Sequence, residues 1–300
     1  MKTEFNRLQL FAGAATNTTV AGDLEPAISI DFTSRIENNI NDLRELLGVT
    51  ELISMSAGTD VKIYELTKEN TPSQVAEGVT IPLTEIKRKL KTTISLTLDK
   101  YRKNTTAESI QKVGRSVAVN QTDEKLISEI QKDVKKSFYT ALATGTGTAT
   151  GTSLQLTLAN LWAKLQERYE DMDVSPIFFV NPQDVADYLG SAQLTMQTAF
   201  GFTYIENFLG LGTAVISPQV TAKTVYATAK ENLNGAYVPV SGDIAQTFDL
   251  TYDESGTIGM THQMKTDNAT IDTLVISCVK FFPEYADGVF KGTIAAASSN

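Results

Sequence analysis

The side chains that most often do chemistry in proteins are scarce in this chain. Its 300 residues include one histidine, His262, and one cysteine, Cys278. Zinc sites and nucleophilic catalysis need several such residues at suitable spacings, which a single histidine and a single cysteine cannot supply. Cys278 also lies within an apolar strand pattern, where a free cysteine is usually an inert small hydrophobe. We therefore predict no catalytic residue, no metal site and no cofactor, and a protein that is not an enzyme.

Two further patterns are typical of ligand sites but lack the residues that complete them. The run GTGTATGTS at 145–153 is not followed by the Gly-Lys-Ser/Thr of a phosphate-binding loop. Asp171 and Asp173 lack the glycine and the terminal glutamate of a calcium loop. We interpret the glycine-rich run as a flexible hinge at a domain boundary, and the two aspartates as a solvated turn.

Composition describes a globular, acidic chain. It is 42% hydrophobic and has a net charge of −9, which argues against a protein that grips nucleic acid by bulk charge. Threonine makes up 39 of the residues, which favours strands and turns. No apolar run approaches the roughly 20 residues of a membrane span, so no membrane partner is expected.

Periodicity in the first half predicts a helix, a hairpin and a longer helix. Apolar residues recur at helical spacing over 27–48, and Gly48 follows as a stop signal. Two alternating strands, Val61–Thr67 and Leu90–Leu98, flank a polar stretch with proline and glycine, which predicts a long β-hairpin. The strongest helical pattern covers 122–144, with Thr122 as N-cap and a length of about 30 Å.

The second half alternates helices and strands before it becomes mostly strands. We predict a helix over 154–169, a buried strand over 177–180 and a helix over 182–189 that begins at a proline. The strands predicted after these cover 214–216, 224–229, 235–238, 248–252, 257–264 and 274–282.

The predicted hairpin differs in charge from the rest of the chain. Residues 61–103 carry a net charge of +4, whereas 1–60 carry −5 and 146–300 carry −9. Three interpretations are open: a solvated charged face, a nucleic-acid patch that lacks interleaved aromatics except Tyr101, and a protein-contact ribbon that suits the acidic remainder of the same chain. We favour the ribbon. The residues assigned as assembly contacts are Lys87, Arg88, Lys89, Lys91, Lys100, Arg102 and Lys103.

The order of these elements resembles the tailed-bacteriophage major capsid protein with the HK97-type fold, over about residues 27–294. Three short motifs are similar to that family: Leu8-Gln-Leu-Phe-Ala12, Phe178-Phe-Val-Asn-Pro182 with Gln183-Asp-Val, and Phe281-Phe-Pro-Glu284 with Asp287-Gly-Val289. The resemblance implies an α+β fold with an N-terminal arm, an extended β-hairpin (the E-loop), a long spine helix, peripheral β-strands and an α/β axial domain. The implied domains are 1–50 (arm and short helix), 51–103 (hairpin), 104–150 with 245–300 (peripheral), and 151–244 (axial).

The same resemblance implies a structural role. We expect a subunit that self-assembles as pentamers and hexamers into an icosahedral head around double-stranded DNA, without sequence-specific binding. Scaffolding, portal and decoration proteins are the further partners it implies, with the virion as location after synthesis in the host bacterial cytoplasm. The alternatives are an encapsulin-like compartment, another virion protein of the tail or decoration type, and an α/β enzyme, for which we find no convergent set of titratable residues.

Overall fold

The described residues fold around a long helix and four sheets. The computed structural model describes residues 33, 35, 38–49, 51–69, 85–170, 172–189, 196–199 and 202–295. The predicted arm, the tip of the hairpin, Asp171 and the Leu8–Ala12 motif lie outside the described residues. The helices are α1 (38–47), α2 (Ala107–Val113), α3 (Arg115–Leu142), α4 (Leu154–Arg168), α5 (Pro182–Leu189) and α6 (Asp243–Phe248).

The described strands form sheets of seven, four, three and two strands. The largest has the order β5-β16-β10-β6-β9-β8-β7 and the next β12-β13-β14-β4; β1-β11-β15 form the third, and β2 and β3 pair alone as the hairpin. The strands are β1 (Leu52–Ser54), β2 (Asp60–Glu69), β3 (Glu85–Ser95), β4 (Asp99–Thr106), β5 (Gly147–Gly151), β6 (Pro176–Val180), β7 (Gln197–Ala199), β8 (Phe202–Phe208), β9 (Gly212–Ile216), β10 (Thr224–Ala229), β11 (Leu233–Tyr237), β12 (Thr251–Tyr252), β13 (Ile258–Lys265), β14 (Thr270–Ser277), β15 (Val279–Pro283) and β16 (Val289–Ile294).

Several predicted elements are confirmed closely. Gly48 ends α1 with a positive φ of 73°, and the Val49 N–H donates to the Arg44 carbonyl at 2.9 Å. The helices predicted over 154–169 and 182–189 are α4 and α5, and the buried strand between them is β6. The predicted α+β class is confirmed by this mixture of helices and strands.

The long helix α3 is present but begins earlier than predicted. It starts at Arg115, so it is about 42 Å long rather than 30 Å. Thr122 lies inside it and is not its N-cap: the Thr122 hydroxyl donates to main-chain carbonyls one turn back, at 2.9 Å from Ala118. Gly114, with a φ of 83°, separates it from α2.

The glycine-rich run is a strand rather than a flexible hinge. Residues 147–151 form β5, which pairs in parallel with β16. Its glycines serve close packing, because a Cβ on Gly151 would stand 2.5 Å from the Thr157 main-chain nitrogen on α4, and one on Gly147 would overlap the Phe290 ring. Only glycine lets α4 and β16 approach the strand this closely.

Two predicted strands of the C-terminal part are wrong in detail. Residues 274–282 do not form one strand: β14 ends at Ser277 and β15 begins at Val279 in a different sheet, so the chain changes sheets at Cys278. Phe248, the first residue of another predicted strand, is the last residue of α6. The final strand β16, assigned to the peripheral segment, pairs with β10 in the largest sheet. The division into domains stays a prediction.

The packing at β5 can be tested with Gly151→Ala. We expect the free energy of unfolding to fall by about 1–3 kcal/mol, because the new methyl group meets main chain that cannot move aside. Urea denaturation followed by circular dichroism measures this. Thr148→Ala, at an exposed position of the same strand, is the control. A gain in stability, as expected for alanine in a mobile linker, would show that our interpretation of β5 is wrong.

Candidate assembly surface on the hairpin

The base of the hairpin is anchored in its own subunit. Val61 and Ile63 of β2 are buried and pack with Leu96 against a cluster that includes Ala236 and Phe282. The main chain is tied as well, since the Leu96 N–H donates to the Thr59 carbonyl at 2.9 Å. The position at which the hairpin leaves the body is therefore set by the subunit's own core.

The pairing of β2 with β3 contains one irregularity. Ile63 lies opposite Thr92, but the next residue, Tyr64, lies opposite Leu90, so Lys91 is an extra residue on β3. This is the arrangement of a β-bulge, which increases local twist and changes which side chains share a face.

Four of the predicted contact residues lie on β3 and are exposed: Lys87, Arg88, Lys89 and Lys91. The Arg88 guanidinium lies over the Tyr64 ring, 3.6 Å from its centroid, in a cation–π contact. The Lys91 ammonium is 3.9 Å from a Glu65 carboxylate oxygen. An exposed ion pair at this distance contributes little to stability, so the Lys91 ammonium remains available to a partner.

The other three predicted residues lie on β4, in the four-stranded sheet, and do not join this group. Lys103 is turned inward: its ammonium contacts the Asp123 carboxylate and donates to the Val119 carbonyl of α3 at 3.1 Å. Its side chain is only 14% exposed. Burial lowers the pKa of Lys103 and raises the pKa of Asp123, because both charged forms lose hydration. Lys103 thus joins β4 to α3 within the subunit.

Arg102 is exposed but is paired with an acid of its own subunit. Its guanidinium lies 2.5 Å from an Asp272 carboxylate oxygen on β14, and the Lys265 ammonium lies 2.9 Å from the same oxygen. Hydrogen bonds from Lys265 and Arg102 lower the pKa of Asp272 to about 2. Lys100, two residues before Arg102 on the strand, is exposed. The predicted set therefore divides into an exposed group on β3 and three residues on β4, of which Lys103 is largely buried while Lys100 and Arg102 are exposed.

Sequence reasoning missed the carboxylates that hold these two cations, Asp123 and Asp272. The alternation of side chains along β4 could have indicated that Lys103 needs an acidic partner. Tyr101 and Lys103 fall on the face whose neighbour Thr105 is buried, whereas Lys100 and Arg102 are more exposed. A lysine in register with buried positions is rarely left without an acidic partner.

The residues considered for chemistry do not converge. Among the described residues, no three histidine, cysteine or acidic side chains are placed to hold a metal ion. Cys278 is buried, and desolvation raises the pKa of its thiol. None of the helices in the described part of the chain is long and apolar enough to cross a membrane.

Comparison with known proteins identifies the architecture. No protein-family model matches the sequence, and no curated protein sequence does. Solved structures do match. One is the virus-like particle from Pyrococcus furiosus, which aligns with a TM-score of 0.51 and 14% sequence identity; the alignment covers 87% of this chain and 97% of that chain. The chain has the HK97-type capsid fold. The resemblance seen in the sequence is thereby confirmed at the level of fold.

Two further matches support the same assignment. The holo-SrpI encapsulin complex from Synechococcus elongatus PCC 7942 aligns with a TM-score of 0.53 and 11% identity, covering 85% of this chain and 89% of that one. The capsid of an empty GTA particle aligns with a TM-score of 0.52 and 9% identity, covering 85% and 90%. The HK97-type capsid fold is thus shared with both capsid and encapsulin shells.

The structural role of Lys103 can be tested with Lys103→Met. We expect a loss of about 3 kcal/mol in the free energy of unfolding, because Asp123 would stay buried without its cation. The matched change on the same strand, Lys100→Met, should alter stability by less than about 0.5 kcal/mol. Thermal and urea unfolding of both variants measure the difference. Equal effects would contradict a structural role for Lys103.

Proposed function

We propose that this chain is a major capsid protein, a subunit that packs as pentamers and hexamers into an icosahedral head enclosing phage double-stranded DNA. The observation that carries the proposal is the extent of the fold match. The three shells at TM-scores of 0.51 to 0.53 align over 85–87% of this chain and 89–97% of their own. A chain that is almost entirely shell fold has little room for a second activity, so the proposed role is structural and not enzymatic.

The hairpin supports this role by its shape and charge. A two-stranded ribbon is marginally stable alone and needs a surface to lie on. Its segment, 61–103, has a net charge of +4 and the remainder of the chain is acidic. A neighbouring copy would therefore attract the hairpin, and salt would weaken that attraction. Each contact can be weak, because a closed shell makes several of them per subunit.

The acidic bulk of the chain is consistent with a DNA container. A net charge of −9 limits adhesion of a polyanion to the wall, so that DNA can be packed and released. We accordingly propose the virion as its location after synthesis in the host bacterial cytoplasm, with no sequence-specific DNA binding. Scaffolding, portal and decoration proteins are the further partners proposed.

An encapsulin-like compartment is the second candidate. It is favoured by the match to an encapsulin complex at a TM-score of 0.53. The two functions differ in their contents: a capsid encloses nucleic acid, and a compartment encloses a protein.

Electron microscopy of the purified chain, with light scattering on the same sample, tests both candidates. Closed shells or rings of five and six subunits would support a shell subunit. Shells from the native host that protect double-stranded DNA from nuclease would then favour the capsid, and shells that co-purify with one protein cargo would favour the compartment. A chain that stays monomeric even with its neighbouring genes co-expressed would overturn the proposal.

The charge argument predicts the effect of reversing Lys87, Arg88, Lys89 and Lys91 to glutamate. We expect the concentration needed for assembly at low salt to rise by about tenfold or more, which corresponds to ~1.4 kcal/mol per contact. Light scattering against concentration measures this, and the difference from wild type should shrink in high salt.

The control carries the same change in net charge at dispersed, exposed lysines: Lys125, Lys132, Lys164 and Lys291. It should fold and assemble more readily than the hairpin variant. If both variants assemble alike, the effect belongs to net charge and not to the hairpin.

A further inference from the structure

The bulge at Lys91 changes the face on which apolar side chains lie. Residues directly opposite each other in a β-ladder share a face, and neighbours along a strand lie on opposite faces. Ile63 shares a face with Thr92, and Tyr64, on the other face, shares it with Leu90. Thr92 and Leu90 are two residues apart but lie on opposite faces, because Lys91 is inserted between them.

The two faces of the hairpin beyond the bulge differ in chemistry. One carries Tyr64, Leu90 and Arg88, whose guanidinium lies over the Tyr64 ring. The other continues the face of Ile63 and carries Glu65 with its register partner Lys89 and its ion-pair partner Lys91. Among the described side chains next to the bulge, Tyr64 and Leu90 therefore lie on one face and the Glu65–Lys89–Lys91 group on the other.

The subunit's own body buries the base and reaches as far as Tyr64, whose N–H donates to the Glu284 carbonyl at 3.2 Å. Before the bulge, Ile63 is fully buried on the face that meets the core. After it, the apolar side chains are on the opposite face, and Leu90 is 48% exposed. A one-residue shift of register moves an entire apolar set to the other side of a strand pair. The bulge directs the apolar face of the outer hairpin away from the surface that anchors its base.

We propose that the face formed by Tyr64, Arg88 and Leu90 seats on a second copy of this chain, and that the face of Lys89 and Lys91 stays open to solvent. The inference rests on the proposed shell function and adds which side of the hairpin makes the contact. The occupant is a second copy because the hairpin segment is basic, at +4, and the acidic remainder of the chain is its complement. Arg88 is the cation on the apolar face, held in place by Tyr64, and is the group that a neighbour's carboxylate would meet.

This assignment divides the basic residues of β3 by function. Arg88 acts at the contact itself, where partial burial strengthens a charge-assisted hydrogen bond. Lys89 and Lys91 act from the far face, through a field that salt screens over about 10 Å at 0.1 M. Leu90→Asp should therefore impair assembly more than Lys89→Asp, although both add negative charge at adjacent exposed positions.

The test is cysteine labelling, which the chain suits because its one native cysteine, Cys278, is buried. Leu90→Cys and Lys89→Cys place thiols on the two faces at adjacent positions. In assembled particles we expect a maleimide to react with Cys at position 90 at least about tenfold more slowly than in the unassembled subunit, since the core of an interface excludes solvent. Position 89 should react as fast as it does in the unassembled subunit.

Each outcome decides the inference. Protection at 90 alone supports it, in closed shells or in any smaller oligomer. Protection at 90 in oligomers that form neither closed shells nor rings of five and six subunits would contradict the proposed function and leave the face assignment supported. Protection at 89 alone, at both positions or at neither overturns the face assignment while the shell function stands. A chain that does not self-associate under any condition overturns both.

Discussion

Phe138 lies where α3 meets two sheets, and the rest of the structure depends on this contact. Its ring packs edge-on against Phe179 of the seven-stranded sheet, with centroids 5.3 Å apart, and belongs to the same buried cluster as Phe281 of the three-stranded sheet. Aromatic pairs of this geometry bury large areas and fix orientation. Because α3 is long and rigid, this one packing site sets the position of both sheets and, through β4, of the strands beside the hairpin.

The parts of the fold that could be predicted from sequence are those whose signals are local. The buried stripe of α3, which includes Ile130, Val134 and Phe138, follows from four-residue spacing, and α5 follows from a proline at its first position. The glycine-rich run could not be predicted, because composition alone does not distinguish a flexible linker from a strand on which α4 and β16 pack closely. Likewise, nothing in the apolar run around Cys278 indicates that its two halves join different sheets.

The candidate site shows the same limit for charge. Lys89 and Lys103 have equal charge and lie in the same basic segment of the sequence, yet one is exposed on the hairpin and the other is only 14% exposed, against Asp123. The two lysines differ in desolvation. A buried cation requires an acidic partner within its own subunit, whereas an exposed cation keeps its hydration and can pair with an acid of a neighbouring subunit. The net charge of 61–103 was enough to predict that the hairpin carries the candidate assembly surface. Which of its basic residues are exposed and which are buried could be read only from the three-dimensional structure.

The hairpin links the stability of one subunit to the formation of a larger body. Its base is held by Ile63 in the core, so the direction in which it projects is determined before any neighbour binds. A preset direction reduces the entropy lost on association, which is the main cost of a weak contact. Beyond the bulge the subunit leaves Leu90 half exposed. An anchored base and a half-exposed Leu90 together favour binding to another copy over folding back, because the bulge at Lys91 turns the apolar face away from the subunit's own body.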